Sequence, residues 1–325
     1  FYFERYHIDG LRVDGVTSIL QLNFGIDGTP FRNQFGGTDD LNGIDFLKEL
    51  NTVIFDRYPF AMMAAEESTA WPLVTYPVDK GGLGFNFKWN MGWMNDTLSY
   101  ISKNTFERRY FHDKITFSIH YAFSENFILP FSHDEVVHGK KTLIDKASGT
   151  YEEKFQNLKL MALYQMTHPG KKLSFMGNEI AQFVEWRYYE SIEWFLLAYP
   201  MHEAHHRYIK YLNHLYMKEK SLWKKDNTWD GFQWIDVDNS EQSVYSYVRK
   251  NGKDICIIVL NFTNLHYDHY RIGVPDTGDY EIVFNSDSKD FHGTGQIEID
   301  EYRTDTVSLH GMKHSLAIKL PGLTG

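Results

Sequence analysis

Cysteine is almost missing from this sequence. The one present, Cys256, lies in the apolar run Ile255-Cys-Ile-Ile-Val-Leu260. That excludes a disulfide framework within the chain and predicts a buried strand thiol rather than a reactive one. Nowhere do the roughly 18 apolar residues of a membrane span run together, and the N-terminus lacks the basic-then-apolar plan of a signal peptide. Positive charge is not in excess: the formal net charge is −10, which disfavours nucleic acid and anionic membranes as partners and fits a neutral substrate better. A phosphate-cradling loop is lacking too, since Gly139-Lys-Lys-Thr142 has no glycine five residues before it, so nucleotide chemistry loses support. Finally, residue 1 is Phe rather than Met, and the chain reads as a fragment of a longer protein.

What is present suits a folded chain of about two domains: 42% of the residues are hydrophobic and 16% aromatic, ample for sizeable cores. Up to about residue 220, short apolar segments alternate with longer helical stretches, the pattern of parallel βα units. Strands are predicted at Leu11–Asp14, Ala61–Glu66, Leu83–Trp89, Phe127–Ser132 and Leu173–Met176, and helices over Ile44–Phe55, Tyr151–Met166 and Tyr208–Tyr216. A (β/α) barrel needs eight strands to close, so these five read as its strands 4–8, with three upstream. After about residue 225 short apolar runs are broken by Asp, Asn and Gly, as in 232–237, 243–248, 255–261, 280–284 and 315–320. The expected fold is therefore α/β, a partial barrel over residues 1–224 followed by an antiparallel β-sandwich over 225–325.

Acidic residues recur where the barrel strands end, the place where such barrels keep their chemistry. In Leu11-Arg-Val-Asp14, Arg12 and Asp14 are two apart and share one face of a strand. A guanidinium there keeps the carboxylate ionised, as a nucleophile attacking a sugar carbon requires. Glu66 ends the apolar strand before Glu67 and could act as a general acid in a semi-dry pocket, whereas Glu67, facing the other way, reads as a solvated bystander. His133-Asp134 at a third strand end could grip sugar hydroxyls. Trp71, Trp89, Trp93 and Trp186, in or after strand-to-helix loops, could offer ring faces to a sugar. Two metal-like patterns carry less. His133 and His138 are five apart rather than four, and His202-Glu-Ala-His-His206 matches a zinc motif without an identifiable third ligand, reading instead as a polar helix start facing water. Asn95 and Asn261 match glycosylation acceptors by pattern only.

Gly10-Leu-Arg-Val-Asp14, Ala65-Glu-Glu-Ser-Thr69 and Phe131-Ser-His-Asp-Glu135 resemble, in order, the second, third and fourth sequence regions of the α-amylase superfamily. The wording of Gly81-Gly-Leu-Gly-Phe85, Lys88-Trp-Asn-Met-Gly-Trp93, His133-Asp-Glu-Val-Val-His-Gly-Lys-Lys141 and Phe175-Met-Gly-Asn-Glu179 is similar to the bacterial glycogen branching enzymes, a likeness running from Phe1 to about Gly322. The resemblance implies Asp14 as nucleophile, Glu66 as proton donor and later base, Asp134 as transition-state stabiliser, and Arg12 and His133 as substrate-binding contacts. It also implies a cytoplasmic retaining transglycosidase that cleaves α-1,4 links of glycogen-like or amylose-like glucans and forms α-1,6 branches, with no cofactor or metal. The superfamily's first region, with its Asp and Asn-His, is not found here and belongs upstream, on the third barrel strand. Two other readings stay open: an amylase-type hydrolase of the same superfamily and a non-catalytic glucan-binding protein. Retention by Asp14 and Glu66 requires their carboxyl groups about 5 to 5.5 Å apart.

Overall fold

A computed structural model describes residues 1–28 and 30–325. The chain divides into two compact units, one of residues 1–92 and 121–130, the other of 93–120 and 131–325. In the first, β1 (Gly10–Val13), β2 (Met62–Ala65), β3 (Phe87–Trp89) and β4 (Phe127–Phe131) follow one another as parallel neighbours. Gly10 starts β1 because a Cβ there would lie 2.2 Å from the carbonyl oxygen of Met62, its partner across the ladder. The helix Leu41–Arg57 supplies the crossover from β1 to β2, and its N-terminus is capped by the Asp40 carboxylate accepting from the Gly43 amide at 3.1 Å. Val16, Leu20, Leu47, Ile54, Met63, Ala65, Leu83 and Phe85 form the unit's core, with the sheet residues Leu11 and Val13 packed against it.

The second unit holds the helices Met91–Ile101 (from Trp93), Tyr151–Thr167 and Pro200–Lys218, together with β5 (Lys171–Ser174). Here the Phe175 amide donates to the Phe131 carbonyl at 2.9 Å. Thr150 caps the helix 151–167, its Oγ accepting from the Glu153 amide at 3.3 Å while the Thr150 amide donates to Glu153 at 2.8 Å. The helix is buried on most of its circumference, and its Tyr164 stacks on the fully buried Trp93.

Seven antiparallel strands follow. β6 (Phe232–Asp236), β7 (Val244–Asn251) and β8 (Asp254–Asn261) form one sheet, β9 (Tyr267–Val274) pairs with β12 (His314–Leu320), and β10 (Asp279–Glu281) pairs with β11 (Glu301–Arg303). Asn251 faces Asp254 across a two-residue turn begun by Gly252 at φ +65°, where the left-handed backbone suits glycine. Buried residues from β6, β7, β9 and β12, among them Ile235, Val244, Ile272 and Leu316, make its core.

Each of the five expected barrel strands is present: β2, β3 and β4 are shorter by one to four residues than the sequence pattern suggests, while β1 and β5 have the expected length but start one and two residues earlier. The parallel strands are a partial (β/α)8 barrel, and the later strands are an all-β domain. The polar segment Tyr267–Val274, which did not read as a strand, is one: only its C-terminal half is buried, so its apolar signal is weak. Among the described residues no helix is long and apolar enough to cross a membrane.

Candidate active site

The β1 and β2 ends meet at one guanidinium. Arg12 Nη1 lies 2.7 Å from Asp14 Oδ1, and Arg12 Nη2 donates to Glu66 Oε2 at 2.5 Å. Parallel pairing makes this possible: Arg12 faces Ala64 and Val13 faces Ala65, so Asp14 and Glu66 each follow the last paired residue of their strands. The Val13 carbonyl accepts the Glu66 amide at 3.0 Å, and the Glu66 carbonyl accepts the Val16 amide at 2.9 Å, which locks the two strand ends together. Between them Gly15, at φ +54°, turns the chain so that its amide donates to Glu66 Oε2 at 3.1 Å. Beneath, the Arg12 guanidinium lies 4.3 Å from the ring centre of the buried Trp89. Trp89 is thus a platform for the arginine rather than an exposed sugar contact.

The two carboxylates differ in environment. The Asp14 side chain is 80% exposed and that of Glu66 only 18%. Burial raises the Glu66 pKa above the ordinary carboxylate range, and Asp14 raises it further, against the lowering by the Gly15 amide and Arg12. A carboxyl that holds its proton more tightly, beside an exposed carboxylate, can protonate a leaving oxygen while its neighbour attacks.

Glu67 does not face water as its sequence position suggested. It is buried, 2.6 Å from Lys88 Nζ, and accepts from Thr17 Oγ at 2.8 Å and the Thr69 amide at 2.9 Å. Lys88 Nζ also donates to the Thr69 carbonyl at 2.9 Å. This network fixes the loop after β2 that carries Glu66. Its signal in the sequence, the Lys of Lys88-Trp-Asn, becomes readable only once β3 is known to lie beside β2.

His133 and Asp134 stand in the second unit, in the short helical turn after β4. Ser132 Oγ accepts the Asp134 amide at 3.2 Å and the Ser132 amide donates to Glu135 at 2.5 Å, so the turn is pinned from both sides. His133 Nε2 is 3.3 Å from Asp134 Oδ1, both side chains being about a third exposed at 35% and 38%. Trp186 and Phe175 hold the imidazole at ring distances of 6.0 and 5.8 Å, and the Trp186 amide donates to the Val136 carbonyl at 2.9 Å. The Gly139 and Lys141 amides, in the segment that lacks a phosphate loop's upstream glycine, donate to Glu185, whose pKa they lower.

The zinc-like motif has a different meaning from the one its polarity suggested. His202 is buried and hydrogen-bonded through Nδ1 to the Ile180 carbonyl at 2.8 Å, and buried His205 contacts the Asn178 carbonyl at 3.3 Å. Burial pushes the His205 pKa down to about 3. These histidines tie the helix 200–218 to the segment after β5, and no cluster of metal-ligating side chains occurs among the described residues. Asn261 is likewise buried, donating to the Leu265 and Pro321 carbonyls at 2.8 and 2.9 Å, so it is not a glycan acceptor in the folded chain. Cys256 lies on β8 with its thiol pKa raised by burial.

Residues 234–325 match the family described as alpha amylase, C-terminal all-beta domain. The chain is 52% identical over 326 aligned positions to the 1,4-alpha-glucan branching enzyme GlgB of Halothermothrix orenii, covering 99% of this chain and 52% of that protein. It is 47% identical to GlgB of Aquifex aeolicus, with 100% and 52% covered. Among solved structures, a cyclomaltodextrinase matches with a TM-score of 0.60 at 16% identity, covering 99% of this chain and 45% of that one. An alpha-amylase from H. orenii matches at 0.60 and 14%, covering 99% and 61%. These two likenesses concern the fold. The chain spans about half the length of the curated relatives it matches. The strand-end motifs, the parallel strands and these relatives agree: over nearly its whole length the chain is similar to about half the length of the GlgB branching enzymes.

Proposed function

We propose that this chain carries the reacting carboxylates of a 1,4-α-glucan branching enzyme, with residues 1–224 its share of the catalytic barrel and 225–325 its C-terminal β domain. The observation that carries the reading is the single guanidinium of Arg12 gripping one exposed and one sheltered carboxylate. Asp14 attacks the anomeric carbon of an internal α-1,4 link while Glu66 gives its proton to the departing O4, so the C–O4 bond breaks as a glycosyl ester forms. Glu66, now ionised, takes the proton of an acceptor glucan's 6-hydroxyl. That oxygen attacks the same carbon, expels Asp14 as carboxylate and leaves an α-1,6 branch. Two inversions retain the α configuration.

Arg12 orients both carboxylates. Asp134 takes the part of transition-state stabiliser and His133 that of a substrate contact, on the strength of their motif. An α-glucan is the substrate class, and the likeness to the GlgB branching enzymes supports a cytoplasmic location. No step calls for a metal or cofactor.

Incubating the complete protein with amylose tests the proposal. Loss of iodine colour with few new reducing ends supports branching, whereas abundant reducing ends favour the amylase-type alternative. Unchanged turnover by Asp14→Asn would remove Asp14 as the nucleophile, and no turnover at all in the complete protein would leave only a glucan-binding protein.

A further inference from the structure

In the second unit, the segment that carries His133 and Asp134 runs on into strained backbone. His138 at φ +57° and Lys141 at φ +70° stand in the left-handed region without being glycine, and Gly139 is there too at φ +79°. A Cβ makes that conformation unfavourable, so it persists only where the surroundings impose it. Two side chains impose it here. Glu185, from the loop after β5, accepts the Gly139 amide on one carboxylate oxygen at 2.9 Å and the Lys141 amide on the other at 2.5 Å. Lys146 Nζ donates to the Lys140 carbonyl and, at 2.8 Å, to that of Lys141.

The geometry points to Glu185 as a positioning residue for the reaction: by gripping the segment after Asp134 it sets its neighbour Trp186 against His133, and so fixes how the imidazole is presented to substrate. The inference rests on the reading of His133 as a substrate contact and adds the residue that holds it in place.

Glu185 and Trp186 together fasten the stretch 133–141. While Glu185 takes the amides of 139 and 141, the Trp186 amide donates to the Val136 carbonyl at 2.9 Å. The indole meets the His133 ring edge-on, at 6.0 Å and 81°, and the Phe175 ring at 5.3 Å. The dipeptide is itself anchored. The Phe183 and Val184 amides each donate to Glu193 Oε2 at 3.0 Å, and the Glu193 amide donates to Gln182 Oε1 at 3.1 Å. Glu185 thus reaches the 138–141 turn from a held base. A carboxylate with both oxygens on backbone amides is a charge-assisted clamp of fixed direction. Those amides keep its pKa below the ordinary carboxylate range, so the clamp stays ionised at neutral pH. A side-chain amide at 185 would have one acceptor and one donor end, and could meet only one of the two N–H groups.

The test measures amylose conversion by the complete protein. Glu185→Gln should lower kcat about 10- to 100-fold, the effect of misplacing a contact by about an ångström, while the melting midpoint stays at the parent value. Glu185→Asp keeps the charge and both acceptor oxygens and should recover most of the loss. A double-variant cycle separates this role from a merely structural one: if Glu185 acts through His133, Glu185→Gln costs little further once His133→Ala is present. Parent kcat in Glu185→Gln overturns the inference, and so does the full loss repeated in the His133→Ala background. Should Glu185→Gln melt early, the cycle is run with Glu185→Asp and the same outcomes decide. Amylose conversion indifferent to Glu185 sinks only this inference, whereas absence of conversion in the intact protein sinks the branching assignment and this inference with it.

Discussion

At Glu66 the pH dependence follows from protonation. The glycosylation step needs the acid form, so kcat/KM falls as pH rises through the Glu66 pKa, and burial has moved that limb above the ordinary carboxylate range. Glu66→Gln should lower turnover about 10²- to 10⁴-fold and abolish the alkaline limb, which a pH–rate profile on amylose checks. The neighbouring Glu67 predicts the opposite kind of effect. Replacing it by alanine strands the buried Lys88 ammonium, whose side chain is 7% exposed, and should cost about 3 to 5 kcal/mol of stability, measured by denaturant unfolding. Asp14, Glu66 and Asp134 were legible as candidates because their strands announce themselves by apolar runs. The difference between Glu66 and Glu67 was legible only in part. Alternation separates their faces, but which face is wet depends on Lys88 and Thr17 arriving from elsewhere in the chain.

Among the helices, Tyr151–Thr167 shows how an element depends on one buried charge. Lys159 Nζ, in a residue 3% exposed, donates to the carbonyls of Ser286 and Phe291 at 2.9 and 3.2 Å. Burial lowers its pKa to about 8 from 10.5. The folded state therefore releases this proton first. Between these two values the unfolded chain binds more protons, and this group's contribution to stability rises with pH by up to about 1.4 kcal/mol per unit. Below the window the contribution is constant. Lys159→Met should flatten that rise, visible as a smaller difference between melts at pH 8 and pH 10. The helix itself was readable from its apolar spacing, but its nearly complete burial was not, since Asn157, Lys159 and Gln165 look like surface residues until their carbonyl and loop partners are known. The helix at Met91–Ile101 escaped notice altogether, because its Trp and Tyr content reads equally as loop or strand.

For the whole molecule the expected behaviour follows from what the first unit leaves uncovered. Phe60 is 98% exposed, Phe35 81%, Phe1 73% and Met62 46%, and exposed apolar surface of this extent favours association. Expressed as these 325 residues, the chain should aggregate or lack activity. Size-exclusion chromatography and an amylose assay check this, and a soluble, active, cooperatively melting product would contradict it.

Local patterning was enough to identify the parallel strands, the antiparallel C-terminal region and the acidic strand ends. Each is written in the spacing of apolar side chains and in the residue that ends the run. Only the folded chain decided that Trp89 serves Arg12, that Glu67 is buried, and that the His202 motif is packing rather than metal chemistry. Those outcomes depend on partners tens of residues away, and pairing between distant segments is information that no short stretch of sequence contains.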